Sequence, residues 1–154
     1  MTVKVAVKDH GAKRARALLK RPRLSLKVGV LSNEGSQLHP SGLTIGTIAS
    51  HMEYGTLEVP ARSWLFDWYD ENYKTITNQL AADTARVLFS KPPESEKKAL
   101  SKRGGEYRRQ IWMRIRNVPG YWEPLKPATV RKKGHDAPLI DTTTLINAIR
   151  WEVV

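Results

Sequence analysis

The sequence predicts an α+β fold: a small, mainly antiparallel sheet packed with two long helices and several short ones. Three observations predict it. Apolar and polar residues alternate at both ends of the chain, in TVKVAVK and RLSLKVGVL near the start and in IRWEV at the finish, the period of half-buried strands. The middle instead carries apolar residues three and four apart, the period of helices. The adjacent Pro92 and Pro93 divide that helical middle in two, because proline breaks one helix and can open the next.

Taken in order, Val3, Val5 and Val7 predict a first strand. Ala12, Ala15, Leu18 and Leu19 follow at helical spacing and stop before Pro22. Leu24, Leu26, Val28 and Val30 then share one face of a second strand, and 32–42 is a long loop rich in turn formers. Ile45, Ile48 and Met52 predict a short helix over 43–54, with Gly55 beyond its end where a left-handed backbone suits glycine. The strongest helix covers 63–89, with Leu65, Tyr69, Tyr73, Ile76, Leu80, Thr84 and Val87 as one core-facing stripe. The next covers 94–116, with Leu100, Tyr107, Ile111 and Ile115 inside and a kink expected at Gly104 and Gly105. A second long loop, 117–139, includes one helical turn at PATVRKKG. Asp141 is placed to cap a short helix through 149, and Ile149, Trp151 and Val153 close the chain as a third strand.

With 154 residues and no repeat or boundary, the chain reads as a single domain, 1–154. It has no cysteine, which excludes disulfides and thiolate chemistry and fits a reducing compartment. No apolar run approaches the roughly 18 residues that cross a bilayer, so no membrane role is expected. The first residues lack the apolar core of a signal peptide, so export is not predicted. The net charge of +11 is unevenly placed. Residues 1–31 hold nine basic side chains against Asp9, 32–90 hold three basic and seven acidic, and 91–154 hold fourteen basic and seven acidic. Such asymmetry points to an acidic partner: nucleic acid, an acidic protein or a neighbouring copy of the chain.

Tests for chemistry find no constellation. His10, His39, His51 and His135 lack any metal-ligand spacing. His51 and Glu53 are two apart, which on a helix turns them roughly 200° from each other. No serine sits in a nucleophile elbow. Asp67 and Glu71 share a helix face, but acids early in a helix already complement its dipole. The basic and aromatic run 107–122 is the nucleic-acid candidate. Arg108, Arg109, Arg114 and Arg116 would take phosphates while Trp112 and its aromatic neighbours stack on bases. The alternative is an amphipathic helix whose aromatics meet the core or a neighbouring subunit. The expectation is therefore no enzyme, no metal and no cofactor.

Two segments carry a resemblance. The first is Ala49, His51, Glu53, Tyr54, Gly55 and Thr56, followed by Pro60, Ala61, Arg62, Trp64 and Leu65 opening the long helix. The second is Pro124, Leu125, Pro127, Ala128, Thr129 and Lys133, then Pro138, Leu139, Ile140, Asp141, Thr142, Leu145, Ala148 and Ile149. In this order and spacing they resemble the virion-morphogenesis, neck or tail-completion proteins of long-tailed bacteriophages, over most of the chain from Val28 onward. Thr143 departs from the pattern, standing where the family usually has glycine. Trp64 stands where the family usually has phenylalanine or a similar apolar residue.

The resemblance implies a structural subunit made in the host bacterial cytoplasm and built into the virion at the head–tail junction or the top of the tail. It implies rings of identical copies, contacts with portal, adaptor, terminator or tube proteins, proximity to genomic DNA, and no catalytic residue or cofactor. Segregated charge suits such a head-to-tail ring. The rival expectation is a free-standing nucleic-acid-binding domain using 107–122. Glu53 and Arg62 are expected to serve architecture, as partners in a buried or inter-subunit ion pair.

Overall fold

The computed structural model describes residues 11–92, 94–140 and 143–154. In chain order they form α1 (Ala12–Leu19), β1 (Leu26–Val30), α2 (Ser32–Gly35), α3 (Ile45–Tyr54), α4 (Phe66–Phe89), α5 (Glu96–Arg116), α6 (Pro127–Lys133), α7 (Thr144–Ala148) and β2 (Ile149–Val153). The class is α+β as predicted, with one antiparallel two-stranded sheet among the described residues. Leu26 opposes Val153, Val28 opposes Trp151 and Val30 opposes Ile149. That register puts the alternating apolar residues of both strands on one face. The first expected strand, at Val3–Val7, lies outside the described residues, as do Asp141 and Thr142.

α5 meets β1, β2 and α4, and the core gathers around it. Its Ile111 and Ile115 are wholly buried, together with Ile149 at the start of β2. Ala49, Trp64, Trp68, Ile76, Tyr107, Trp122, Leu145 and Ile146 complete the cluster. The chain passes from α7 straight into β2 at Ile149, and Arg108 Nε donates to that residue's carbonyl at 2.7 Å. This bond fixes the strand's entry against α5.

The predicted stripe on α4 needs correction. Tyr69, Tyr73 and Thr84 are exposed, and the buried positions are Trp68, Ile76, Asp83 and Val87. The core face is rotated because it includes a charged residue. The Asp83 carboxylate accepts from Arg103 Nε at 2.6 Å and Nη2 at 3.0 Å, and also from Arg86. Tyr107 Oη donates to Gln79 Oε1 at 3.1 Å, and the Trp68 and Tyr107 rings pack 5.6 Å apart. Both ties fasten α4 to α5.

Other expectations shift as well. The long helix begins at Phe66 rather than 63, and the next at Glu96 rather than 94. The 32–42 stretch contains α2 and a bridge from Leu38 to Thr44, while 117–139 contains all of α6. Gly104 and Gly105 leave α5 unbroken. Gly104 serves instead as a seat for Trp151: a Cβ there would stand 2.7 Å from the indole, whereas one on Gly105 would be 3.9 Å away.

Those distances separate two neighbouring substitutions. Gly105→Ala should raise stability by about 0.5–1 kcal/mol through helix propensity. Gly104→Ala should lower it by about 1–3 kcal/mol through overpacking. Urea denaturation of the two variants checks the opposite signs.

A second prediction concerns acid. Hydrogen bonding to Arg103 leads the effects that hold the Asp83 carboxyl below its ordinary value, and burial opposes them. A depressed folded pKa contributes stability above the unfolded value, near 3.8. That contribution is lost as pH falls through the folded value. Asp83→Asn should destabilise the protein at neutral pH by about 3 kcal/mol and flatten its acid unfolding profile. Denaturation midpoints measured from neutral pH down into the acid limb supply the test.

Candidate functional site

The first resembling segment builds a corner between α3 and α4. Thr44 opens α3 by accepting from Thr47 N at 3.1 Å, and Gly55 ends it with φ of 76°. A Cβ on Gly55 would sit 2.8 Å from Ala61 N, so the position needs glycine for both backbone and space. Thr56 then closes a tight turn. Its N–H donates to Val59 O at 2.8 Å, and its hydroxyl accepts from Glu58 N and Val59 N. Pro60 brings the chain back toward α3, and Arg62 N donates to Met52 O at 2.7 Å.

Glu53 is the centre of this corner. It lies on the last turn of α3, is 7% exposed, and points at the start of α4. Its Oε2 accepts from Trp64 N at 3.1 Å and Leu65 N at 3.0 Å, and its Oε1 from Phe66 N at 2.9 Å and Ser63 Oγ at 2.5 Å. Ser63 Oγ in turn accepts from Asp67 N at 3.1 Å. The first N–H groups of a helix have no partner within it. Here a carboxylate from another helix accepts from Leu65 and Phe66 and holds the Ser63 hydroxyl that accepts from Asp67, with its charge at the favourable end of the dipole. This explains why α4 starts at Phe66: residues 63–65 are held as its cap.

Arg62 does not pair with Glu53, which corrects the expected ion pair. Its guanidinium, in a residue 4% exposed, crosses to the residue just before the second segment and donates through Nε and Nη2 to Glu123 O at 3.1 and 2.9 Å. Burial lowers the Arg62 pKa, and the nearby Glu123 carboxylate opposes that. Both segments then line one apolar groove of about 380 Å³, with Met52, Pro60 and Arg62 on one side and Leu125, Thr129 and Leu145 on the other.

The remaining candidates of the second segment are also placed by backbone. Pro127 opens α6, where its missing N–H is no loss. Lys133 Nζ donates to Ala137 O at 2.9 Å, bridging the turn that Gly134 begins at φ of 77°. Leu145 is buried in the core, and Leu65 packs on it half-buried. Thr143 adopts φ of 59°, the left-handed conformation that glycine favours and a β-branched residue resists. The departure at this position is thus a threonine in a glycine's conformation.

The 107–122 run divides across α5. Tyr107 and Trp122 are core residues, which corrects any stacking role for them. Arg108 holds Ile149 O, and Arg114 Nη1 pairs with Glu71 Oε2 of α4 at 2.5 Å. The exposed Tyr121 ring joins that pair, and its hydroxyl donates to Asp67 Oδ2 at 3.0 Å. Arg109, Trp112 and Arg116 share the opposite flank, with the Arg116 guanidinium 4.0 Å from the Trp112 ring centroid. Among the described residues no group of His, Asp or Glu has the arrangement of a metal site. Sequence reasoning missed Ser63, whose spacing four before Asp67 and placement just ahead of a helix was a usable capping signal. It also missed the Glu123 carbonyl, for which no signal exists.

Glu53→Gln should lower folding stability by about 2–3 kcal/mol, because an amide presents an N–H₂ where two backbone donors need an acceptor. His51→Ala, two residues away on the other side of α3, should stay within about 0.5 kcal/mol of the parent. Chemical denaturation of the pair checks this, and equal losses in both would contradict the role given to Glu53.

Comparison with protein-family models, curated proteins and solved structures finds no match to this chain.

Proposed function

We propose that the chain is a structural subunit of a tailed-bacteriophage virion, a neck or tail-completion protein joining head to tail through protein–protein contacts. The observation that carries this is the convergence of the two resembling segments. Arg62 and Glu123 are 61 residues apart, yet the side chain of one holds the backbone of the other. Three charged side chains of the resembling motifs also have structural tasks. Glu53 caps α4, Arg62 ties the corner to 123, and Lys133 bridges its own turn. Acids and bases so engaged suit a rigid scaffold that presents surfaces to partners, and give no support to a reaction centre.

A nucleic-acid-binding role has one observation in its favour, the exposed Arg109 and Arg116, with the half-buried Trp112 ring beneath the Arg116 guanidinium. Two experiments separate the readings. Particles assembled without this chain should accumulate as filled heads and separate tails, and antibody against it should mark the head–tail junction in electron micrographs. Under the rival reading, the chain is missing from purified particles. It then binds DNA with an affinity that falls steeply with salt and disappears in the Arg109→Glu, Arg116→Glu double variant. That second set of results would overturn the structural proposal.

A further inference from the structure

Large apolar side chains cluster in the open where α3 meets α4. Tyr54 and Phe66 have rings 6.0 Å apart, and Tyr69 and Tyr73 have rings 5.8 Å apart. Phe66, Tyr69 and Tyr73 follow one another at spacings of three and four, so the aromatics form one continuous flank of α4. Leu57 projects from the adjoining turn, fully exposed. This turn is rigid, held by Gly55 and by the Thr56 hydroxyl. An apolar patch of this kind with a charged rim marks an interaction surface, and tyrosine is enriched in such surfaces. The rim is more acidic than basic: within 54–74, Glu58, Asp70 and Glu71 are exposed with Lys74 as the exposed base, Arg114 engages Asp67 and Glu71, and Arg62 is buried.

The far end of the same helix has the opposite character. α4 is 24 residues long, so its ends lie about 35 Å apart. There α1 packs beside the α4–α5 connection, with Leu19 and Phe89 exposed. Residues 11–24 and 86–98 together carry ten basic side chains and two acidic. The molecule therefore has two apolar patches of opposite charge at opposite ends of one rigid strut.

We infer that the aromatic, acidic end of one copy docks on the basic α1 end of a second copy. The two surfaces differ, so the contact is heterologous and propagates head to tail, closing into a ring or continuing as a filament. An isologous pairing of the aromatic ends would set Glu58 and Asp70 against their own images, which is repulsive. The inference names the self-contact of the subunit proposed above and rests on that reading only for its place in a virion.

Charge exchange tests it with the full chain. One variant carries Glu58→Lys and Asp70→Lys, and a second carries Arg16→Glu and Lys20→Glu. All four positions are exposed, so thermal unfolding should match the parent in both. Each variant alone should associate at least about tenfold more weakly than the parent in sedimentation. Mixed in equal amounts, they should associate again, because each supplies the surface the other lost. In the parent chain, a photo-crosslinker introduced as Tyr73→p-benzoyl-phenylalanine should yield covalent dimers whose joined peptides fall in 11–24 or 86–98. A monomeric parent at every attainable concentration, no recovery on mixing, or crosslinks from Tyr73 to Tyr73 would overturn the inference. Those results leave the virion reading standing if the chain still marks the head–tail junction. Head-to-tail association of a chain missing from particles would instead remove the virion reading alone.

Discussion

The Glu53 carboxylate ties the end of α3 to the start of α4 through four hydrogen bonds, and most of the corner follows from it. A helix as long as α4 must end somewhere with unsatisfied N–H groups. The N–H groups of its N-cap Leu65 and first residue Phe66, together with Trp64 N and the Ser63 hydroxyl, converge on one buried side chain. A buried carboxylate is tolerable only when it accepts several hydrogen bonds, and here the helix start supplies them. The geometry leaves little freedom nearby. Glu53 is the second-last residue of α3, so the chain must reverse within a few residues to bring 63–66 back to it. Gly55, the Thr56 turn and Pro60 are the means of that reversal.

Arg62 extends the same constraint to the other half of the chain. A guanidinium in the interior whose acceptor among the described residues is a carbonyl is poorly compensated for lost water, and the lowered pKa has that cause first. Such a residue persists where its planar fork positions something that apolar packing cannot. In this chain it positions the backbone at 123, one residue after the buried Trp122 and directly before the Pro124–Leu125 wall of the groove. The corner and the groove are therefore one construction.

Much of this was legible in the amino-acid sequence, and the failures have a common form. The α3 end, the left-handed Gly55, the two strands within the described residues and both long helices follow from local periodicity and punctuation, which act over a few residues. The face of α4 did not, because a stripe counted from apolar residues credits Tyr69 and Tyr73 to the core and debits Asp83. Asp83 is buried because Arg103, twenty residues away in sequence, meets it across the helix pair. Glu53 and Arg62 looked like a pair for the converse reason. They are near in sequence and opposite in charge, yet each is committed to backbone elsewhere. Thr143 was marked as a departure from its pattern, and it holds the positive φ that a glycine adopts more easily. Long-range polar partnerships have no period, so single-sequence patterns cannot display them.

The misassigned tyrosines also connect stability to assembly. Tyr54 rides on the last turn of α3 and Phe66 is the first residue of α4. The angle between those two helices therefore decides whether their rings form one surface. That angle is held by Glu53, buried beneath the patch, rather than by the aromatics themselves. A surface pre-organised in this way loses little side-chain freedom when it is covered, which favours association at modest contact area. Weakening the cap would let the helices separate locally and split the patch before the core around α5 was disturbed. On the self-contact inferred above, association would then fail at a lower denaturant concentration than folding, because both would depend on one carboxylate but only the fold has Ile111, Ile115 and Ile149 in reserve.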